Sequence, residues 1–230
     1  MQYAQQAVQV ALVGALERYW LTRGHVNFTD QTINQNLALT SSRTGQFGTI
    51  DLSDASDRVL LDLASYMFEG NPDLWGLIEA CRSKAALLPD GRLVSPLFKF
   101  ASMGSALCFP VESMVFYTLC VIARLRKHNL PPTPRHVWNV SRDVYVYGDD
   151  LIVPVDDADA VLDCLQEYHC KVNSAKTFCS GMFRESCGVD AYDGEDVSPT
   201  YLRSMPPENR RQAKELLSWV ATANAMYLKG

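Results

Sequence analysis

The stretch VYVYGDDLIVP, Val144 to Pro154, sets Asp149 and Asp150 side by side after Gly148, between two runs of strand-forming side chains. Val144 and Val146 alternate with Tyr145 and Tyr147, and Leu151, Ile152 and Val153 return on the far side. Gly148 lets the backbone turn between them, because glycine takes positive φ without steric cost. The two carboxylates are therefore expected at the tip of a buried hairpin. Adjacent carboxylates repel each other and resist desolvation, so such a pair destabilises the rim of a core unless a cation neutralises it. Magnesium suits the role, since it prefers hard oxygen ligands and completes its shell with water and substrate phosphates. A third carboxylate stands in GTIDLSDASDRV, where Asp51 ends an apolar strand just as it gives way to a helix. Two strands ending together would bring Asp51 to Asp149, an acidic cluster suited to phosphoryl transfer with two metals about 3.5 to 4 Å apart. A plain solvent-exposed turn is the alternative for Asp149 and Asp150, and helix capping or dipole compensation is the alternative for Asp54 and Asp57.

The elements that must position these residues are legible to different degrees. Apolar side chains at helical spacing (Val8, Val10, Leu12, Val13, Leu16, Tyr19, Trp20) predict a helix over 3–21. The polar stretch up to Gly48 reads as an ordered connection. Phe47 to Leu52 reads as a strand, and Ser53 or Asp54 caps a helix running through Val59, Leu60, Leu63 and Met67 to Gly70. A helix restarts at Pro72, LLPDGRLV is a turn between short extended pieces, and Gly104 to Lys127 is helical. NLPPTPRH is a break. After the aspartate hairpin come a helix over 156–168, an extended piece around 171–178, a second hairpin turning at Asp193-Gly194, and a final helix with Leu216, Leu217, Trp219 and Val220 inward. This order predicts an α+β fold, an antiparallel sheet with helices packed on one face.

The formal net charge of −5 argues against a protein that coats nucleic acid through bulk charge, while leaving room for a local basic groove. Seven cysteines with no CxxC pair read as reduced thiols, and His169, Cys170 and Cys179 lack a fourth zinc ligand at a sensible spacing. The apolar run from Met114 to Ala123 is shorter than a bilayer span, and no secretory signal opens the chain, so no membrane partner and a cytoplasmic location are expected.

Six motifs in order carry a resemblance over about His25 to Arg203: DQTINQNLA, TIDLSDASD, SMGSALCFPVES, VYGDD, NSAKTF and FRESCG. The chain resembles the palm of viral RNA-dependent RNA polymerases, and most closely the replicases of single-stranded RNA bacteriophages, the levivirus group. The resemblance implies a polymerase palm with partial fingers and thumb remnants: residues 1–46 end the fingers and lead into the palm, 47–190 form the palm, and 191–230 hold the second hairpin strand and the start of the thumb. Asp51, Asp149 and Asp150 would be catalytic and bind two Mg2+ ions (Mn2+ can substitute), with the backbone carbonyl of Leu52 completing the shell. Lys176 would be the general acid, Asp57 would sense the ribose hydroxyl, Ser102 and Gly104 would position the templating base and incoming sugar, and Arg184 would touch RNA backbone phosphate. Bland alternatives are a cap for Ser102, a solvated Lys176 and an ion pair for Arg184. Cys108 departs from the broader polymerase pattern, whereas Glu112 matches the phage replicases.

Implied partners are template and product RNA, nucleoside triphosphates, host translation elongation factors and a ribosomal protein, in the cytoplasm of an infected bacterial host. The short approach to Asp51 suggests a fragment of a longer replicase. A catalytically inactive RNA-binding or scaffold palm and a reverse transcriptase are the competing readings. Against the latter, Ser56 and Asp57 stand where a bulky aromatic gate is usual.

Overall fold

The computed structural model describes residues 2–209 and 211–228. It contains two compact units, Met1–Asp196 and Val197–Gly230. The chain mixes helices with small antiparallel sheets, and among the described residues the strands all lie in the first unit.

The central sheet is three-stranded in the order β1-β6-β5, with β1 at Phe47–Ile50, β5 at Tyr145–Tyr147 and β6 at Asp150–Pro154. The middle strand buries Leu151, Ile152 and Val153 in succession, which requires cover on both faces. Two helices, α2 (Thr32–Thr44) and α6 (Cys108–Lys127), pack against this sheet. Both faces of the sheet are therefore covered, where the element order alone suggests helices on one.

The helix α2 lies in the stretch that reads as a connection. Its buried residues are Asn34, Ala38, Ser41 and Ser42, which give no apolar periodicity. Its C-terminal Gly45 takes the left-handed conformation (φ 68°) that ends helices. The first helix, α1, runs only over Gln2–Leu16, and of the predicted inner residues only Leu12 is fully buried.

The single helix expected after Asp51 is two, α3 (Ala55–Arg58) and α4 (Leu61–Met67). Between them the backbone is extended, since Phe100 N donates to Val59 O and Leu61 N to Phe98 O. A non-local pairing thus wins over helical propensity. Asp54 precedes α3 in a left-handed conformation (φ 55°) and makes no side-chain cap. The helix from Pro72 is α5 (Pro72–Cys81), and the turn at Asp90-Gly91 joins β3 (Ala86–Leu87) to β4 (Leu93–Val94), both as expected. The helix read from Gly104 starts at Cys108, after a turn in which Ser105 N donates to Ser102 O.

Long and apolar enough by composition to cross a membrane, α6 is mostly buried in the core, and the run from Met114 to Ala123 is only its middle. Its last turn is tied down by Arg124, whose guanidinium donates to Asp157 Oδ2 (2.6 Å), Val140 O and Asp143 Oδ2 (3.4 Å). Burial opposes ionisation of Asp157, but Arg124, Lys127 and His128 outweigh it and hold its carboxyl below the usual range. Val140 belongs to α7 (Pro134–Ser141), and Asp157 leads into α8 (Ala158–Glu167), so this cluster fastens three helices together.

A second sheet, β8 (Phe183–Ser186), β9 (Val189–Tyr192) and β10 (Glu195–Asp196), turns at Asp193-Gly194 as expected from the sequence. The seven cysteines are free thiols. In the second unit, α9 (Ala213–Leu228) exposes three of the four residues expected inside, Leu217 at 70% and Leu216 and Val220 at close to half, whereas Trp219 is half-buried and donates to Ser204 O (3.1 Å).

Candidate active site

Register alone brings the first two carboxylates together. β1 and β6 pair antiparallel with Ile50 opposite Leu151, so Asp51, next after Ile50, falls beside Asp150, next before Leu151. Tyr147 pairs with Asp150, which leaves Gly148 and Asp149 as a two-residue turn. Gly148 has φ 65°, and the ring of Phe109 from α6 lies where its Cβ would be. Phe109 in turn meets Tyr147 and Phe28 edge to face, and Tyr147 Oη donates to Phe28 O (3.0 Å). The turn is therefore clamped from below by three aromatic rings.

Two of the three acids, Asp51 and Asp150, have a holder. Asn173 Nδ2 donates to Asp51 Oδ2 (2.7 Å), Asn173 N donates to Asp51 O (2.9 Å), and Thr177 Oγ1 accepts from Asp51 N (3.3 Å). Cys187 N, in the turn between β8 and β9, donates to Asp150 Oδ2 (3.2 Å). The Cys187 carbonyl accepts from Gln35 Nε2 of α2 (3.0 Å), so the polar helix supports the site indirectly. The sequence alone does not single out Asn173, Thr177, Cys187, Gln35 or Phe109. Asn173 and Thr177 do sit within NSAKTF, which is the available signal.

The electrostatics are those of an acidic cluster short of positive charge. Burial raises the Asp149 carboxyl, and the charge of Asp51 adds to this, against relief from Lys176. Asp150 is pushed up to about 6, by burial first and then by Asp149 and Asp51, with the Cys187 N–H acting against. Lys176 reaches Glu185 Oε1 (3.0 Å) and is raised chiefly by that bond, then by the charges of Asp51 and Asp150. A divalent cation suits this donor set, which is all hard oxygen and holds more negative charge than the protein neutralises. Among the described residues, no three His, Cys, Asp or Glu are gathered closely enough to form a metal cage.

Asp149 also lines a cavity of about 340 Å³ with Ser56, Gly104, Ser105, Cys108 and Glu112. Glu112 is 6% exposed. Burial first, then the charge of Asp149, push its carboxyl up to about 7, against the thiol of Cys108 at 3.5 Å. The folded protein thus penalises the ionised form, and the penalty grows as pH rises from the ordinary 4.5 toward 7. In metal-free buffer, Glu112→Gln is expected to stabilise the protein by about 2–3 kcal/mol more at pH 8 than at pH 4. Urea unfolding at the two pH values measures this, and an equal effect at both would contradict it.

The remaining sequence candidates are scattered around this centre. Leu52 opens β2 (Leu52–Ser53) opposite Val172 of β7 (Lys171–Val172), with its side chain buried. Asp57 pairs with Lys99 Nζ (2.7 Å) at the surface. Gly104 (φ 97°) borders the carboxylate cavity, whereas Ser102 lines a neighbouring one. Arg184 requires correction. It is 1% exposed, and it donates through Nε to Phe47 O (2.7 Å) and through Nη1 to the carbonyls of Ser180, Gly181 and Phe183. It fastens β8 to the start of β1 and lines neither of the two cavities beside the carboxylates, so it is not placed to meet an RNA phosphate.

The fold built around this hairpin is shared with solved structures. Telomerase from Candida albicans, solved with a fragment of telomeric RNA, superposes with a TM-score of 0.54 at 14% identity, covering 96% of this chain and 41% of that one. Apo telomerase from Candida tropicalis gives 0.55 at 14% identity, covering 96% and 44%.

The chain belongs to the RNA replicase beta-chain family, whose model matches residues 7–213. It is 37% identical to the RNA-directed RNA polymerase beta chain of Escherichia phage MS2, over 86% of this chain and 33% of that one. Against the corresponding subunit of Qbeta virus (strain MX1) it is 35% identical over 83% and 30%, and against that of Enterobacteria phage SP 33% identical over 95% and 34%. The chain thus spans about a third of the length of these relatives.

Proposed function

We propose that these residues are the palm of an RNA-directed RNA polymerase that replicates a single-stranded RNA phage genome, the first compact unit holding the end of the fingers and the palm and the second the start of the thumb. The observation that carries this reading is the Ile50–Leu151 register, which sets Asp51 beside the Gly148-Asp149-Asp150 turn. Asp51, Asp149 and Asp150 would hold two Mg2+ ions (or Mn2+), with the Leu52 carbonyl available to complete the shell. Bound there, the ions would acidify the 3′ hydroxyl of the growing strand and offset the charge of the triphosphate.

The chain's own residues orient the reactants. Asn173 and Cys187 hold the carboxylates of Asp51 and Asp150, so these would meet the reacting groups without rearrangement. Lys176, kept protonated by Glu185, would give its proton to the departing pyrophosphate. Asp57, steadied by Lys99, would accept a hydrogen bond from the ribose hydroxyl, and the turn through Ser102 and Gly104 would meet the base pair. Template and product RNA and nucleoside triphosphates are its partners in this reading. Host translation elongation factors and a ribosomal protein join the longer replicase in the bacterial cytoplasm.

Single-nucleotide addition to a primed RNA template tests the reading. Slow, template-dependent addition is expected, with ribonucleotides preferred to deoxyribonucleotides. Addition independent of template, or a preference for deoxyribonucleotides, would overturn it.

A further inference from the structure

A second cavity, separated from the carboxylates by one loop, holds a positive charge that the proposed chemistry does not use. Arg82, just past the end of α5, is 6% exposed. Its guanidinium donates through Nε to Phe100 O (3.3 Å) and through Nη2 to Leu97 O (2.8 Å) and Lys99 O (3.5 Å). Among the described residues it has no carboxylate partner within 4 Å, so carbonyl dipoles alone face the buried charge. An interior cation without a counter-ion is unfavourable, and an anion brought from outside would relieve it.

The surroundings suit one kind of anion. Arg82 lines a cavity of about 310 Å³ together with Lys99, Ser83, Ser102, Gly104 and Ser105, and no Asp or Glu contributes to its wall. Lys99 shares its charge with Asp57, which leaves Arg82 as the dominant cation there. A planar guanidinium with hydroxyl donors around it matches the oxygens of a phosphate group. Gly104 and Ser105 line this cavity and the carboxylate cavity alike, so the two are back to back across the same loop.

We propose that the Arg82 cavity is a phosphate-binding subsite, taking either a phosphodiester of the RNA strand or a phosphate of a free nucleotide. The nature of its ligand rests on the polymerase reading; the site itself rests on the buried cation and its walls. Ser83 is exposed at the cavity wall, so Ser83→Glu places a negative charge there without touching the carbonyl partners of Arg82. Two probes distinguish the sources: a short fluorescein-labelled oligouridylate followed by anisotropy, and inorganic pyrophosphate followed by calorimetry.

With RNA as the ligand, Ser83→Glu weakens the oligouridylate about tenfold and flattens its salt dependence by about 0.7 in log–log slope for each phosphate that the protein no longer neutralises. With a nucleotide as the ligand, the pyrophosphate affinity falls instead. Arg82→Gln, checked for folding by circular dichroism, is expected to act in the same direction. Absence of binding of both probes by the unaltered chain, or unchanged affinity for both in folded Ser83→Glu, overturns the proposal. Failure of nucleotide addition by the unaltered chain, where Ser83→Glu still shows these binding losses, would count against the polymerase reading and leave the subsite standing.

Discussion

Asp149→Asn is expected to lower nucleotide addition by about three orders of magnitude while leaving the protein at least as stable as before. In the proposed reaction the loss follows from removing one of three carboxylates that would face the reacting phosphate, an interaction worth about 4 kcal/mol in the transition state. The stability half of the result follows from the site's own electrostatics. Asp149 is a half-buried acid whose carboxyl is raised by burial and by Asp51, so in metal-free buffer its ionised form is a liability to the fold. Asparagine keeps the shape and removes the charge, which also relieves Asp150 and Glu112. Function and stability therefore pull apart at this residue, as they do where a site is held ready for a ligand. Addition rates and urea midpoints measured on the same preparations check it. A variant that loses activity together with stability would mean that Asp149 serves the fold rather than the reaction.

Gly148→Ala is expected to destabilise the protein by about 3 kcal/mol or more, from two sources that act together. The backbone at Gly148 is left-handed (φ 65°), which a side chain disfavours, and the added Cβ would lie 2.1 Å from Phe109 Cε2, with Cδ2 at 2.9 Å. That ring is braced by Tyr147 and Phe28 and has no easy retreat. Its displacement would move the turn that carries Asp149, so activity should fall with stability. Shortening the ring tests the cause: in the Gly148→Ala background, Phe109→Leu should recover part of the lost stability, although alone it should reduce it. Additive effects of the two substitutions in denaturant titrations would rule out this clash as the origin.

The carboxylate hairpin is legible in the sequence because its determinants are local: alternating strand formers, a glycine where the chain reverses, and acids where none are needed for folding. Asp51 is legible from the end of its strand. Other features depend on partners distant in the chain. α2 carries Asn34, Ser41 and Ser42 on its buried side, and no periodicity rule finds a helix whose inner face is polar. The break between α3 and α4 exists because Val59 and Leu61 bond to Phe100 and Phe98, which nothing near Val59 announces. Arg184 misleads because a cation that will bind carbonyls inside the protein and one that will bind phosphate outside look the same in sequence. The supports of Asp51 and Asp150, namely Asn173 and the Cys187 amide, become visible only once the turns that carry them have their positions.

The pairing of Ile50 with Leu151 joins segments about a hundred residues apart, and the central strand of that sheet is the later of the two to be made. During synthesis the strand before Asp51 must wait, unpaired, until Pro154 has left the ribosome. No nascent chain shorter than this can bring its acids together, so competence for chemistry arrives late and abruptly rather than growing with length.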